Sequence, residues 1–240
     1  MELKDLALLS NGSLRGNTLE VSEFSIDTRS IKKGEVYIAI EGLNFDGHDF
    51  IEDAEKNGAR ALIVSREVSS TLPFIVVNNT LDFMETIAVH NRSSFNGNVI
   101  GITGTNGKTT SKQILSSLLS QIHKTHKTDG NKNNHIGVPF SMLNMENLYK
   151  SSVLEIGTSK VGEIENLTNL VKPNIAAITN VSSGHLQGLR DTDSIADEKG
   201  DILEFYDSNG IAVLPRDSSY FKFWCSKTNC KKVVSFGIHE

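Results

Sequence analysis

A glycine-rich turn between an apolar run and a helical pattern constrains this 240-residue chain more than any other feature. Residues 98–115 read NVIGITGTNGKTTSKQIL, in which VIGIT predicts a buried strand and the residues from Lys108 onward predict a helix. Glycines let backbone N–H groups turn inward, and the start of a helix adds unpaired donors with partial positive charge. The segment therefore predicts a phosphate-binding loop.

The candidate phosphate-binding residues are the eight positions of this turn and helix start: Thr103, Gly104, Thr105, Asn106, Gly107, Lys108, Thr109 and Thr110. We expect Lys108 to reach the outer phosphates and the Thr109 hydroxyl to ligate Mg²⁺. The strict pattern G-x-x-x-x-G-K-[ST] requires glycine at position 102, where the chain has Ile102. A glycine-rich turn that binds no nucleotide is the alternative, and the turn alone does not distinguish a kinase, an ATPase, a GTPase or a ligase.

Strand-like and helix-like segments alternate from residue 99 to the end of the sequence, which predicts a doubly wound, mostly parallel sheet. Ligands of such sheets bind beyond the carboxyl ends of the strands. A smaller α/β pattern precedes it, with a helix predicted at 80–94 and Thr80 as its N-cap. The polar segment SSFNGN then predicts a boundary between domains 1–94 and 95–240. The biased segment HKTHKTDGNKNNH, residues 123–135, predicts a loop.

Charge and hydropathy limit the partners of the chain. Its formal net charge is −5 and no basic patch stands out, so we expect no nucleic-acid partner. The sequence has neither a signal peptide nor an apolar run of membrane-spanning length, so no membrane insertion and a cytoplasmic location are expected. We expect the protein to be a monomer.

Three polar residues near predicted strand ends or on a nearby helix are candidates for the chemistry. Glu155 ends an apolar strand, where a buried acid requires a partner or a cation, and His185 follows the strand NIAAITN. Both could coordinate Mg²⁺. Lys199 lies on a predicted helix that could bring it to the same sheet edge. The alternatives are a solvated loop histidine for His185 and a surface lysine for Lys199.

Four segments together resemble the central domain of the Mur ligases, ATP-dependent amide-bond ligases of peptidoglycan precursor synthesis: GITGTNGKTT, LEIGTSKVGEI, ITNVSSGHLQG and IADEKGDIL. The segment SIDTRSIKKGEVYIAIEGLNFDGHDFIEDAEKNGARALIV is similar to the UDP-sugar-binding N-terminal domain of the late members. Two more, GNKNNHIGVPFSMLNM and GIAVLPRDSSYFKFW, are most similar to the member that adds D-alanyl-D-alanine to UDP-N-acetylmuramoyl-tripeptide.

The resemblance implies roles for particular residues. The catalytic set would be Lys108 on the β/γ-phosphates, Glu155, His185 and Lys199, with Gly104, Asn106 and Gly107 as the phosphate cradle. The Mg²⁺ ligands would be Thr109, Glu155, His185 and a carbamylated Lys199. The uridine-diphosphate region would include Asp27, Thr28, Arg29, Asp46, Gly47 and His48, and the sugar-peptide would meet Asn133, Asn134 and Gly137.

The implied reaction has two steps: a substrate carboxylate attacks the γ-phosphate of ATP, and the dipeptide amine displaces phosphate from the resulting acyl phosphate. The family's C-terminal domain, which binds the amine, lies outside the match, so this chain alone is expected to be weakly active or inactive. Pro215 stands where the late-ligase pattern favours Asn near the adenine. A substrate-binding pseudoenzyme, or a folylpolyglutamate-type ligase, remains an alternative.

Overall fold

The computed structural model describes residues 1–42, 44–182, 191–204 and 209–238. The chain divides into two compact units, Met1–His90 and Asn91–Glu240, and each carries its own sheet. The predicted α/β class with mostly parallel strands is confirmed. No helix within the described ranges is long and apolar enough to cross a bilayer.

The first unit is built on a five-stranded sheet in the order β1-β5-β4-β3-β2, in which only the β1–β5 pair is antiparallel. Leu62 and Val64 point to the same face of β4 and pack with Ile51 and Ala54 of helix α2, because side chains alternate along a strand. The elements are α1 (Leu3–Leu9), β1 (Ser13–Arg15), β2 (Phe24–Ser25), β3 (Val36–Ile38), α2 (Ile51–Lys56), β4 (Ala61–Val64), β5 (Phe74–Val76) and α3 (Thr80–Ser94).

Helix α3 has the predicted bounds, but the predicted cap is wrong. The Asn79 side-chain oxygen accepts the N–H groups of Leu81 and Asp82 at 2.7 and 3.2 Å, so Asn79 is the capping residue. Thr80 is the first helical residue, and its hydroxyl donates to the Ala39 carbonyl at 3.0 Å. This contact ties the helix start to the end of β3.

The second unit is built on a six-stranded sheet in the order β11-β10-β9-β6-β8-β7, with parallel pairing throughout its described strands. Strand β7 lies inside the segment 123–135, so the prediction of a loop there is wrong; pairing with β8 recruits these polar residues. The elements are β6 (Asn98–Thr103), α4 (Lys108–Leu119), β7 (Thr125–Lys127), α5 (Gly137–Leu143), β8 (Ser151–Glu155), α6 (Glu163–Val171), β9 (Ile175–Ile178), α7 (Thr192–Gly200), β10 (Ile211–Pro215), α8 (Phe221–Lys227) and β11 (Lys232–Phe236).

Strand β6 lies between β8 and β9, where the strand order reverses. Its carboxyl end leads into the glycine-rich turn, Glu155 ends β8, and Thr179 and Asn180 follow β9. Open parallel sheets bind ligands at such a switch point, beyond the carboxyl ends of the strands. The topology therefore brings the turn, Glu155 and Asn180 to one edge.

Helix α4 packs on this sheet through a narrower stripe than its sequence indicates. Leu115 and Leu119 pack against the cluster of Ile100, Ile102 and Val153. Ile114 and Leu118 are 57% and 62% exposed, although both belong to the apolar pattern of the helix. A helix lying on a sheet buries only one face, so the full set of apolar positions in α4 is wider than the part that joins the core.

His126 on β7 is a buried polar residue of this sheet. Its Nδ1 lies 2.8 Å from the Ser152 hydroxyl, and its ring packs 5.5 Å from that of Tyr149. Burial lowers the pKa of His126 from 6.5 to about 4, against a smaller opposing effect of a hydrogen bond with the Ser141 backbone. The folded protein therefore holds this imidazole neutral.

We predict that His126 makes the protein less stable in acid. The unfolded chain binds a proton near pH 6.5 and the folded chain only near pH 4, so stability is complete above that window and falls as the pH drops through it. The loss is about 3 kcal/mol in the free energy of unfolding. Chemical denaturation at a series of pH values, compared with His126→Gln, measures it; parallel pH profiles of the two proteins would contradict the prediction.

Candidate nucleotide and metal site

Two glycines shape the turn between β6 and α4. Gly104 has φ of 149° and Gly107 has φ of 80°, both in the range that favours glycine. A Cβ at position 104 would also collide with the hydroxyl of Thr179. The close approach of the turn to β9 therefore requires glycine at position 104, whereas Gly107 permits the change of direction into α4.

Asn180 holds the turn from the side of β9. Its side chain pairs with the backbone of Asn106: the Asn106 N–H donates to Oδ1 at 3.0 Å, and Nδ2 donates to the Asn106 carbonyl at 3.1 Å. The Thr105 N–H donates to the Asn180 carbonyl, and the Thr179 hydroxyl donates to the Asn106 carbonyl at 2.6 Å. The turn is thus preorganised by two residues that sequence reasoning missed, although they are the last two residues of the predicted strand NIAAITN.

These contacts determine which backbone N–H groups of the segment remain available for an anion. The N–H groups of Thr105 and Asn106 already have partners, whereas the first N–H groups of α4 have no acceptor within the helix. Thr109 and Thr110 are exposed in this first turn, and Thr103 is buried at the end of β6. The helix start is therefore the part of the segment that is suited to an anion.

Lys108 folds over the turn. Its Nζ donates to the carbonyls of Gly104 at 2.8 Å and Thr105 at 3.3 Å. Burial lowers the pKa of Lys108, and the nearby Glu155 carboxylate opposes this shift. Both acceptors are uncharged carbonyls, so the ammonium group can exchange them for phosphate oxygens without breaking an ion pair.

Glu155 is the buried acid at the centre of the site, with a relative exposure of 1%. The Thr109 hydroxyl donates to its two oxygens at 3.1 and 2.9 Å, and Asn133 Nδ2 donates to Oε1 at 2.8 Å. Lys112 Nζ lies 3.1 Å from Oε2, and the Glu155 N–H donates to the Thr128 hydroxyl at 3.0 Å. The carboxylate is satisfied by groups from two separate segments, α4 and the loop before α5, as burial requires.

The Thr109–Glu155 pair fits a magnesium ion. Neighbouring oxygens of an octahedral Mg²⁺ site lie about 2.9 Å apart, because each ligand is about 2.1 Å from the ion. The observed separations of 2.9 and 3.1 Å match two adjacent ligands. Within residues 1–42, 44–182, 191–204 and 209–238, no cluster of three or more His, Cys, Asp or Glu side chains could hold a metal, so further oxygens must come from elsewhere.

Lys199 is buried on α7, which contradicts the alternative of a surface lysine. Burial, together with the nearby Lys108 ammonium group, lowers the pKa of Lys199 to about 8, against the effect of Glu198. Glu198 fastens α7 to the segment after Glu155: its carboxylate accepts the N–H groups of Gly162 at 2.7 Å and Ile164 at 2.9 Å. His185, the other predicted metal ligand, lies outside the described residues.

The candidate uridine-diphosphate residues lie in the first unit, where several of them form ion pairs or hydrogen bonds with one another. Asp27 forms an ion pair with Arg29 at 2.7 Å. Asp46 accepts the His48 N–H and ring Nδ1 at 2.9 and 2.6 Å, and Arg66 at 2.5 Å. Burial opposes ionisation of Asp46, but these hydrogen bonds outweigh it and lower its pKa.

His48 has no free ring nitrogen in this network. Its Nε2 accepts the Ser65 N–H at 2.9 Å, so the proton of the neutral ring lies on Nδ1, toward Asp46. Gly47 is buried against Ile40, and the Thr28 carbonyl accepts the Asn57 amide. Asp46 and His48 therefore shape the loop from within, and a direct ligand contact of His48 requires rearrangement.

The three candidate sugar-peptide residues lie in the second unit, near Glu155. Asn133 contacts Glu155 through its amide, and its carbonyl accepts the Gly157 N–H at 2.7 Å. Asn134 accepts the N–H groups of Ile136 and Gly137 and so begins helix α5. A Cβ at Gly137 would collide with the Lys132 backbone. These residues are thus structural parts of the loop beside the Thr109–Glu155 pair.

Two family models match the chain: "Mur ligase middle domain" over residues 102–240 and "Mur ligase family, catalytic domain" over residues 20–92. The chain is 34% identical over 240 residues to the UDP-N-acetylmuramoyl-tripeptide–D-alanyl-D-alanine ligase of Buchnera aphidicola subsp. Acyrthosiphon pisum. That match covers 100% of this chain and 53% of the relative. The chain therefore spans about half the length of the curated relatives it matches.

Solved structures give the same result. MurF from Acinetobacter baumannii superposes with a TM-score of 0.85 at 28% identity, over 98% of this chain and 52% of that one. MurF ligase from Thermotoga maritima in complex with ADP gives 0.75 at 32% identity, over 92% and 51%. A Mycobacterium tuberculosis folylpolyglutamate synthase reaches 0.52 at 16% identity, over 65% and 48%, which shows a shared fold alone.

Gly104→Ala should destabilise the protein by at least about 2 kcal/mol, because the new Cβ collides with Thr179 and the backbone is in a region that L-residues avoid. Gly162→Ala is the matched control: its φ is 86°, but an added Cβ has no neighbour within 4 Å. This control should lose only about 1 kcal/mol. Urea denaturation compares the two variants, and equal losses would show that contact with Thr179 is unimportant.

Proposed function

Because this chain belongs to the Mur ligase family, we propose that it binds ATP with Mg²⁺ and a UDP-N-acetylmuramoyl-tripeptide for amide-bond formation with D-alanyl-D-alanine. The relatives named as ligases of this specificity support the choice of substrates. The reaction would be a step of peptidoglycan precursor synthesis in the cytoplasm.

The observation that carries the proposal is the position of the Thr109–Glu155 pair at the start of α4, next to Lys108. A phosphate at a helix N-terminus brings its oxygens to this pair. Mg²⁺ held by Thr109 and Glu155, with His185 and a carbamylated Lys199 as further candidates, would neutralise phosphate charge. The structure of the relative from Thermotoga maritima is a complex with ADP, which supports a nucleotide as a ligand.

In the proposed reaction, the chain's residues position and stabilise rather than form covalent bonds. The terminal carboxylate of the UDP-sugar-peptide attacks the γ-phosphorus, ADP leaves, and an acyl phosphate forms. The amine of the dipeptide then attacks the acyl carbon, and phosphate leaves. Lys108 and the first N–H groups of α4 would balance the charge that develops on the phosphoryl oxygens.

The first unit would supply the UDP-sugar contacts of the proposal. Arg29 is 87% exposed at its side chain and Arg66 is 49% exposed, so both can exchange their carboxylate partners for a diphosphate. Asp46 and His48 would hold the loop that presents these groups. Asn133, Asn134 and Gly137 remain the candidates for the sugar-peptide.

Two other functions make different predictions. A substrate-binding pseudoenzyme, favoured by Pro215 at the carboxyl end of β10, would bind the UDP-sugar-peptide but not ATP. A folylpolyglutamate-type ligase would bind folate, and the first unit, which is matched by the Mur ligase family model, argues against it. Calorimetry with Mg·ATP, UDP-N-acetylmuramoyl-tripeptide and folate separates the three, and the proposed ligase binds the first two.

Lys108→Met should weaken the binding of Mg·ADP by roughly tenfold or more, because the ammonium group within reach of the phosphates is lost. The control is Lys124→Met, which removes the same charge from an exposed position. Isothermal titration calorimetry measures the affinity of both variants for Mg·ADP. Their affinity for UDP-N-acetylmuramoyl-tripeptide, measured in the same way, should be unaffected. Unchanged ADP binding by Lys108→Met, or none by the wild-type protein, would contradict the assignment.

Lys199 should form a carbamate. The residue is buried, its amine makes no hydrogen bond or ion pair with any described residue, and its pKa is about 8, so a neutral fraction can react with CO₂. We expect a new carbon-13 NMR resonance in protein equilibrated with labelled bicarbonate. The signal should disappear in Lys199→Met and persist in Lys160→Met, an exposed lysine. A wild-type spectrum without it would exclude the modification.

A further inference from the structure

Lys112 is a buried lysine that the phosphate-binding motif does not include. It lies one helical turn after Lys108 on α4, with a relative exposure of 1%. Its Nζ is 3.1 Å from Glu155 Oε2, and it also donates to the Gly130 carbonyl. Sequence reasoning missed it, although the i, i+4 spacing to Lys108 places both lysines on one helix face.

The ion pair determines the charge of the metal-binding region. Glu155 carries one negative charge, while Lys112 at 3.1 Å and Lys108 nearby each carry a positive charge, so these three groups sum to a positive charge. Glu198 does not add a second carboxylate to the site, because both of its oxygens are already hydrogen-bonded. They accept the N–H groups of Gly162 and Ile164 and the Thr158 hydroxyl. No cluster of metal-binding side chains exists elsewhere in the described residues.

We propose that Lys112 is a charge-balancing and positioning residue that prevents Glu155 and Thr109 from binding a divalent cation on their own, so that the ion enters only with nucleotide phosphates. Mg²⁺ keeps its water shell unless negatively charged oxygens replace it. One carboxylate that is already paired with an ammonium group does not supply enough negative charge, and a triphosphate does. The inference rests on the proposed nucleotide site.

A second consequence concerns the position of Glu155. Lys112 contacts Oε2, Asn133 contacts Oε1, and Thr109 contacts both oxygens. The lysine therefore fixes one edge of the carboxylate and leaves the Thr109 side as the route for a metal ion. Loss of the charge should increase the cation affinity of this carboxylate, whereas a purely structural role of Lys112 would reduce it.

The test measures divalent-cation binding with and without nucleotide. Electron paramagnetic resonance with Mn²⁺ as the probe is applied to the wild-type protein, Lys112→Gln and Lys127→Gln. The last is the control, because Lys127 is exposed on β7 and contacts Gln113 instead of Glu155. We expect the wild-type protein to bind Mn²⁺ strongly only with ADP. Lys112→Gln should bind Mn²⁺ alone roughly tenfold or more tightly than the wild type, and Lys127→Gln should not differ from it.

Equal Mn²⁺ affinity of the wild-type protein with and without ADP would overturn the inference, as would an unchanged or weaker affinity in folded Lys112→Gln. If Lys112→Gln does not fold, the inference is decided by the wild-type comparison and by the double variant Lys112→Gln/Glu155→Gln. Tight Mn²⁺ binding by that double variant without ADP would overturn the inference, because the cation would then bind without the Glu155 carboxylate. Failure of the wild-type protein to bind ADP at all would instead contradict the proposed function. The two failures are therefore distinguishable.

Discussion

The position of β6 between β8 and β9 is the constraint on which the candidate site depends. Ile102 pairs with Glu155 on one side, and Thr103 pairs with Ile178 on the other. Since the three strands are parallel, their carboxyl ends meet at one edge, and the turn after β6 must pass between Glu155 and Asn180. A one-residue slip of β8 would turn the Glu155 side chain to the opposite face of the sheet. The geometry of the site is thus a consequence of strand register.

Within that frame, one buried carboxylate organises segments that are far apart in sequence. Glu155 must have partners because an unpaired buried charge is costly, and it takes them from α4 and from the loop before α5. Satisfied polar networks of this kind are rigid and select one arrangement. Glu198 acts similarly between α7 and the start of α6. The neighbouring Lys199 lies buried on the same helix.

Local signals in the sequence were sufficient for the strand–turn–helix segment, for the bounds of α3 and for the α/β class, because each depends on residues close together in the chain. Features that depend on distant residues were missed. Strand β7 is too polar to be recognised without its pairing to β8, and Asn79 rather than Thr80 caps α3 because the Thr80 hydroxyl has a partner at Ala39. The roles of Asn180 and Lys112 likewise exist only once the sheet is formed.

The chain has a net negative charge, whereas Lys108, Lys112 and Glu155 together carry a net positive charge. Screening by solvent and salt explains why the first has little effect on the second. At physiological ionic strength, charges farther apart than about 8 Å are largely screened in solvent, so the net charge of −5 has little effect on a ligand at the sheet edge. Lys112 is buried, with an exposure of 1%, and buried charges are screened much less. An anion at this edge would therefore respond mainly to Lys108 and to the Lys112–Glu155 pair. Net charge describes the solubility of this protein better than it describes what its site attracts.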